Sequence, residues 1–189
     1  YACLEYPMSR NEAEKWWPAD FIVEGRDQIS GWFFSLLKAG LVAVGETPYK
    51  TVLMHGFMLD EQGREMHKSL GNFVAPQDVV SKFGRDALRL YVLQNTLWED
   101  LRFSWKVLAQ VSGDLQTMWN VYVFASTYMS LDKFDPTTYT PEKVRRHMRE
   151  EDLWLMSRTE HVTNGVTSAM EGYRIHEAIR ILRDFIVED

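Results

Sequence analysis

The sequence has 189 residues, 46% hydrophobic and 25% charged, which suits one or two globular domains with a sizeable core. Its net charge of −6 argues against a nonspecific polyanion binder, although a local basic stripe on an acidic protein still permits RNA. No apolar run reaches the ~18 residues that span a bilayer, no leader pattern precedes Glu5, Arg10 and Glu12, and the single cysteine, Cys3, supports neither an internal disulfide nor a metal cluster. The expected compartment is the cytoplasm, with no membrane or DNA partner.

In chain order, Ser9-Arg10-Asn11-Glu12 has the capping-box form, and the helix it opens is expected to end before Pro18. Phe21-Ile22-Val23, stopped by Glu24-Gly25, reads as a buried strand. Asp27 then caps a helix to about Gly40, with Ile29, Phe33, Leu36, Leu37 and Leu41 at helical spacing. Tyr49 to Met54 reads as a second strand. Phe57 to Arg64 reads as a hairpin around Asp60-Glu61-Gln62-Gly63. Strand, helix and strand in this order form the βαβ unit of a parallel sheet, whose ligands bind beyond the carboxyl ends of the strands. That rule alone puts Glu24-Gly25 and His55-Gly56 beside a ligand.

From about Pro76 the pattern turns helical. Short helices open at Ala75-Pro76-Gln77-Asp78 and at Gly84-Arg85-Asp86, the second carrying Leu88, Tyr91 and Val92. A long helix is predicted from Trp105 to Leu131, with Val107, Val111, Leu115, Met118 and Tyr122 facing inward. A loop at Asp135 to Pro141 precedes helices near Glu151 to Met170 and Arg174 to Val187, with Gly172 between them, and the whole reads as a bundle. The fold class is therefore α/β followed by all-α. Residues 1–75 form the α/β region, 76–104 a connecting region and 105–189 a helical bundle. Both ends read as cut from something longer.

Two segments carry the chemistry. Glu24-Gly25-Arg26-Asp27-Gln28-Ile29-Ser30-Gly31-Trp32-Phe33 places carboxylates on both sides of a strand-to-helix turn, where Gly25 admits close approach. Glu24 suits an ammonium group and Asp27 suits sugar hydroxyls. Asp27 serves equally as a plain helix cap, and Trp32 as core. Gly63-Arg64-Glu65-Met66-His67-Lys68-Ser69-Leu70-Gly71-Asn72 is a polar loop able to fold over a polyphosphate with Lys68 as its charge, or to stand as a solvated surface loop.

Together, Gly-Arg-x-Met-x-Lys-Ser-Leu-Gly-Asn and the upstream Glu-Gly-x-Asp-Gln-x-x-Gly-Trp-Phe resemble the class I aminoacyl-tRNA synthetases, the loop matching their Lys-Met-Ser-Lys-Ser signature. Trp17-Pro18-Ala19-Asp20, Gly31-Trp32-Phe33, Pro48-Tyr49-Lys50, His55-Gly56, Asp86-Ala87-Leu88-Arg89 and Trp98-Glu99-Asp100-Leu101-Arg102-Phe103 narrow the resemblance to the isoleucyl-tRNA synthetase family. Trp119-Asn120-Val121-Tyr122 and Asp152-Leu153-Trp154-Leu155 resemble that family's anticodon-binding bundle. The resemblance implies that residues 1–75 are the second half of a Rossmann-like nucleotide-binding catalytic fold, and it implies activation of isoleucine by ATP, with Mg2+, to an adenylate, and transfer to tRNA(Ile). It implies that Glu24, Gly25 and Gln28 hold the amino-acid part, with Asp27 nearby and Trp32 against the aliphatic tail. His55, Gly56, Met66 and Ser69 then lie on the nucleotide, and Lys68 neutralises phosphate charge. It implies no protein-held metal site. A valyl- or leucyl-tRNA synthetase and a noncatalytic tRNA-binding module are the alternatives.

The loop departs from the signature at Glu65, which is expected to point away from phosphate, and at His67, either an added donor or a neutral spacer. Lys143, Arg145, Arg146 and Arg149 form a basic cluster offset by Glu142, Glu150, Glu151 and Asp152, suited to tRNA phosphates or to a solvated helix end. Trp105, Trp119, Tyr122, Phe124 and Trp154 are read as core. The second class I signature, His-x-Gly-His, occurs at none of His55, His67, His147, His161 or His176. The 189 residues by themselves are accordingly expected to show no isoleucine-dependent exchange of pyrophosphate into ATP, and exchange above background would contradict this.

Overall fold

The computed structural model describes residues 10–189. The capping residue predicted at Ser9, and Cys3, lie outside the described residues. Helix α1 spans Arg10–Lys15 and ends before Pro18. Strand β1, Ala19–Gly25, is followed by a 3-10 turn at Arg26–Ile29, helix α2 at Trp32–Ala43 and strand β2 at Tyr49–His55. β1 and β2 pair in parallel from Ala19↔Tyr49 to Gly25↔His55, so the expected βαβ unit is present.

Three details of this unit differ from expectation. α2 starts at Gly31, whose cap position receives no side-chain bond, so Asp27 is not its cap. Gln28 takes that role: its Oε1 accepts from the Trp32 amide at 3.0 Å. Asp27 and Gln28 both lie within the 3-10 turn, but Gln28 is one residue nearer to Trp32 and its longer arm reaches the first helical amide. The strand is only half buried: Ile22 and Leu53 are covered while Val23 is 47% exposed. On α2, Phe33 is buried whereas Ile29, in the turn, and Leu41 are exposed.

After β2 the Asp60 carboxylate, itself buried, organises the predicted turn by accepting from the amides of Gln62 and Arg64 and pairing with the Arg64 guanidinium at 2.9 Å. The antiparallel hairpin is reduced to one bridge, Leu59↔Glu65. The chief partner of strand β3, Met58–Leu59, is a later parallel strand, β4 at Leu101–Arg102, which no local pattern announces.

The chain divides into two compact units, residues 1–66 with 97–102 and residues 67–96 with 103–189. In the second, α3 (Pro76–Phe83), α4 (Arg85–Leu93), α5 (Trp105–Leu131), the short α6 (Pro141–Arg145), α7 (Glu150–Glu171) and α8 (Ile175–Val187) follow one another. Ser104 caps α5 by accepting from the Val107 amide. Its own amide donates to the hydroxyl of Tyr91, a fully buried residue whose ring meets Phe103 edge-on at 5.8 Å. α8 packs against α4, α5 and α7, and the Arg183 guanidinium of α8 pairs with Asp114 of α5 at 2.7 Å. That carboxylate pushes the Arg183 pKa further up.

The bounds of α5 match the prediction, and its buried face matches it in part. Leu108 and Val111 are buried, whereas Val107, Met118 and Tyr122 are exposed. Trp119, Tyr122, Phe124 and Trp154, read from sequence as core, are 52–66% exposed. Helical periodicity gives the spacing of an apolar face; on α5 the aromatics of Trp119 to Tyr128 run round the helix, so spacing alone cannot select the packed side. Leu108→Ala is expected to cost about 2–5 kcal/mol and Val107→Ala no more than about 0.5 kcal/mol. Urea midpoints at constant slope check this, and equal losses would put Val107 back in the core.

Candidate functional site

In the first unit, the parallel register brings the carboxyl end of β1 beside that of β2: Glu24 lies opposite Met54 and Gly25 opposite His55. The turn that follows β1 is stiffened from within. Gln28 Nε2 donates to Asp27 Oδ2 at 2.9 Å while its Oε1 holds the Trp32 amide. Asp27 Oδ1 is folded over the bare Cα of Gly25, where a Cβ would strike it. Glu24 and Asp27 are exposed, and Trp32 is 44% exposed with its ring 5.7 Å from Phe33, so Trp32 is not core. His55 Nδ1 lies 2.8 Å from the Gly56 carbonyl. A carbonyl only accepts, so Nδ1 carries the proton and Nε2 of the neutral ring is left as an acceptor.

Gly56 is held by a close approach. Its amide donates to the Leu97 carbonyl at 2.9 Å, and a Cβ there would strike the Glu99 carbonyl and lie 2.7 Å from the Asp100 amide. Asp100 accepts from the Phe57 amide at 2.8 Å through Oδ1 and pairs with Arg26 at 3.1 Å through Oδ2. The guanidinium of Arg26 also lies over the Phe57 ring at 4.9 Å. The Phe57 amide first, then Arg26, holds the Asp100 carboxyl below its usual value, so it is ionised at neutral pH. Sequence reasoning assigned no role to Arg26 or Asp100. Both lie inside runs that carried the family resemblance, which was the signal available.

Met66 closes the first unit's main stretch, and Lys68 and Ser69 belong to the second. There Lys68–Leu70 forms a 3-10 turn, ended by Gly71 at φ 67, a conformation that favours glycine. The His67 amide donates to Asn72 Oδ1 at 2.9 Å, closing the loop. Lys68 and Ser69 are exposed, and Lys68 Nζ lies 5.5 Å from the centre of the Phe73 ring. Glu65 and His67 are also exposed. The predicted residues thus fall into two groups, Glu24, Gly25, Asp27, Gln28, Trp32, His55 and Gly56 at the strand ends, and Lys68 and Ser69 on the loop turn, with Met66 just before that turn.

In the helical unit, Lys143, Arg145, Arg146 and Arg149 are exposed. Lys143, Arg146 and His147 line a hollow with Glu142, Phe134 and Tyr139, the last two stacked at 4.9 Å. Among the described residues no group of three or more His, Cys, Asp or Glu suits a metal ion, and no helix is long and apolar enough to cross a membrane.

A family model described as tRNA synthetases class I (I, L, M and V) matches residues 1–104. Curated relatives called isoleucine–tRNA ligase include those of Saccharolobus islandicus, 51% identical over 96% of this chain and 18% of that protein, and Methanothermobacter marburgensis, 51% identical over 100% and 18%. The chain thus spans about a fifth of the length of these relatives. Among solved structures, the LeuRS–tRNA–LeuAMS ternary complex of Agrobacterium radiobacter K84 matches over 98% of this chain and 25% of that chain, with TM-score 0.77 and 21% identity. Mycobacterium tuberculosis methionyl-tRNA synthetase in complex with methionyl-adenylate matches over 98% and 36%, with TM-score 0.74 and 19% identity. At these identities the two structures establish the fold.

Because Gly56 has backbone where a side chain would be, Gly56→Ala is expected to cost about 1–3 kcal/mol. Thermal unfolding measures this, and an unchanged midpoint would show that the 97–102 segment gives way freely.

Proposed function

Because the chain belongs to the class I tRNA synthetases, and within them to the isoleucine–tRNA ligase family, we propose that it supplies the adenylate-holding part of such an enzyme, which activates isoleucine with ATP and transfers it to tRNA(Ile). The observation that carries this reading is the juxtaposition, in register, of the Glu24–Gln28 turn with His55 at the carboxyl ends of two parallel strands. Ligands in open α/β sheets bind at that edge.

In the proposed reaction the carboxylate oxygen of isoleucine attacks the α-phosphorus of ATP, and pyrophosphate leaves with the bonding pair of the broken P–O bond. No side chain needs to form a covalent intermediate, so the rate comes from positioning and from charge stabilisation. Glu24 accepts from the substrate ammonium. Gln28, whose carboxamide already fixes Asp27 and the start of α2, sets the polar face on which the ammonium rests. Trp32, half exposed at the first turn of α2, offers an apolar surface to the aliphatic tail. His55 and Gly56 face the adenosine, with Nε2 of His55 as an acceptor. Met66 and Ser69 flank the nucleotide, and Lys68 meets the charge that develops on the phosphates. In this reading Mg2+ arrives on the phosphates of ATP.

The helical unit is proposed to face tRNA. The stacked Phe134–Tyr139 pair and the cations Lys143 and Arg146 combine an aromatic surface with phosphate-binding charge, the chemistry that RNA recognition needs. We place the protein in the cytoplasm, where tRNA is charged.

In the full-length protein, Lys68→Ala is expected to slow adenylate formation by about 2.7–4 kcal/mol with little change in isoleucine binding, as for loss of a donor to transition-state charge. Single-turnover adenylate formation is the measurement, and an unchanged rate would make Lys68 a surface residue. Trp32→Ala is expected to raise the isoleucine KM and narrow the preference over valine by about 1–3 kcal/mol, leaving the ATP KM unchanged. Equal damage to both substrates with a large fall in Tm would instead place Trp32 in the core.

A further inference from the structure

We propose that Arg26 and Asp100 are a positioning pair, binding the ends of β1 and β2 to one downstream segment so that the two strand ends form a single fixed edge. This rests on the reading that the Glu24–Gln28 turn holds the amino-acid part of the adenylate.

The backbone ladder between the strands ends at Gly25↔His55. Beyond it, the side chains of Asp27 and Gln28 bond only within the turn and to the start of α2. Arg26 is the turn residue whose side chain reaches out, to Asp100 and over Phe57. Asp100 uses its two oxygens on the two strand ends: Oδ2 on Arg26, next to Gly25, and Oδ1 on the Phe57 amide, two residues past His55. The Gly56 amide on the Leu97 carbonyl adds a second tie to the same segment. This segment, Leu97–Arg102, belongs to the first unit although the residues on both sides of it belong to the second.

The side chains of the pair are 50% and 30% exposed. An ion pair so open to water contributes little to stability. Its consequence is geometric: it fixes the distance between the turn with Glu24 and Asp27 and the strand end with His55. A group that touches no reacting atom but sets the placement of those that do changes substrate KM more than folding. ATP and isoleucine use should separate, because Arg26 adjoins the amino-acid-holding residues while Phe57 stays tied to the segment by its own backbone.

The test uses the full-length synthetase that contains this chain. Asp100→Asn keeps an acceptor for the Phe57 amide but removes the ion pair. Arg26→Met keeps the aliphatic stem, and Arg26→Lys restores the charge. The readouts are isoleucine-dependent pyrophosphate exchange, with KM for isoleucine and for ATP, and Tm. Asp100→Asn and Arg26→Met are each expected to raise the isoleucine KM about tenfold, and the double variant no further, since contacting residues couple rather than add. Arg26→Lys should recover most of the loss, Tm should stay nearly unchanged, and high salt should move the wild type toward the variants. Unchanged isoleucine KM in both single variants, additive losses in the double, or loss of both substrates in step with a falling Tm would overturn the pair. Wild-type exchange that is indifferent to isoleucine would overturn the functional reading and the pair with it, which separates the two failures.

Discussion

The parallel ladder between β1 and β2 decides where the strand-end chemistry lies. A one-residue slip would exchange the faces of β1 and β2. It would also part Gly25 from His55, and with them the turn that follows one strand from the histidine that ends the other. The ladder is held at its buried positions by Ile22 and Leu53, and at its start by the Ala19 amide on the Pro48 carbonyl. Beyond Gly25↔His55 the β1–β2 ladder stops, and the polar groups there are organised by side chains together with the Gly56 amide on the Leu97 carbonyl.

Two kinds of organisation then appear in the first unit. Within the turn, Gln28 does local work, bridging Asp27 to the first amide of α2. Between the strand ends the work is done by residues far apart in sequence: Asp100 reaches Arg26 and the Phe57 amide, and Gly56 packs so closely on Glu99 that no side chain fits. The helical unit is held differently. Fully buried Leu108 and Tyr91, the Tyr91 hydroxyl on the Ser104 amide, and the Arg183–Asp114 pair join helices at single, well-covered points, while the outer halves of α5 and α7 carry exposed aromatics.

What the sequence made legible follows the range of the interactions. The helix bounds of α5, the βαβ unit and the Asp60 turn depend on periodicity and on residues a few positions apart, and all were readable. The strand-end location of Glu24, Gly25, His55 and Gly56 followed from a topological rule. Strand β4 was invisible because two residues carry no period, and its partner lies more than forty positions upstream. Asp27 looked like a cap because an Asp before a helix usually is one; the intervening 3-10 turn handed that bond to Gln28. The exposed aromatics were misread because residue type signals burial only on average, and Trp119 and Trp154 stand 57% and 52% exposed.

The contrast between the two groups of candidate residues bears on the proposed chemistry. Glu24, Asp27, Gln28 and His55 are held by a ladder, a cap and a long-range ion pair, so their geometry exists before any ligand arrives. Such groups suit a substrate that must be bound and aligned in its ground state. Lys68 is different: it stands exposed on a three-residue turn flanked by the local bonds His67 to Asn72 and Gly71 to Lys68. Segments with few buried contacts open at low free energy. A lysine on such a turn binds weakly on its own and gains most where negative charge is concentrated. In a phosphoryl-centred reaction, that moment is the transition state rather than the resting complex.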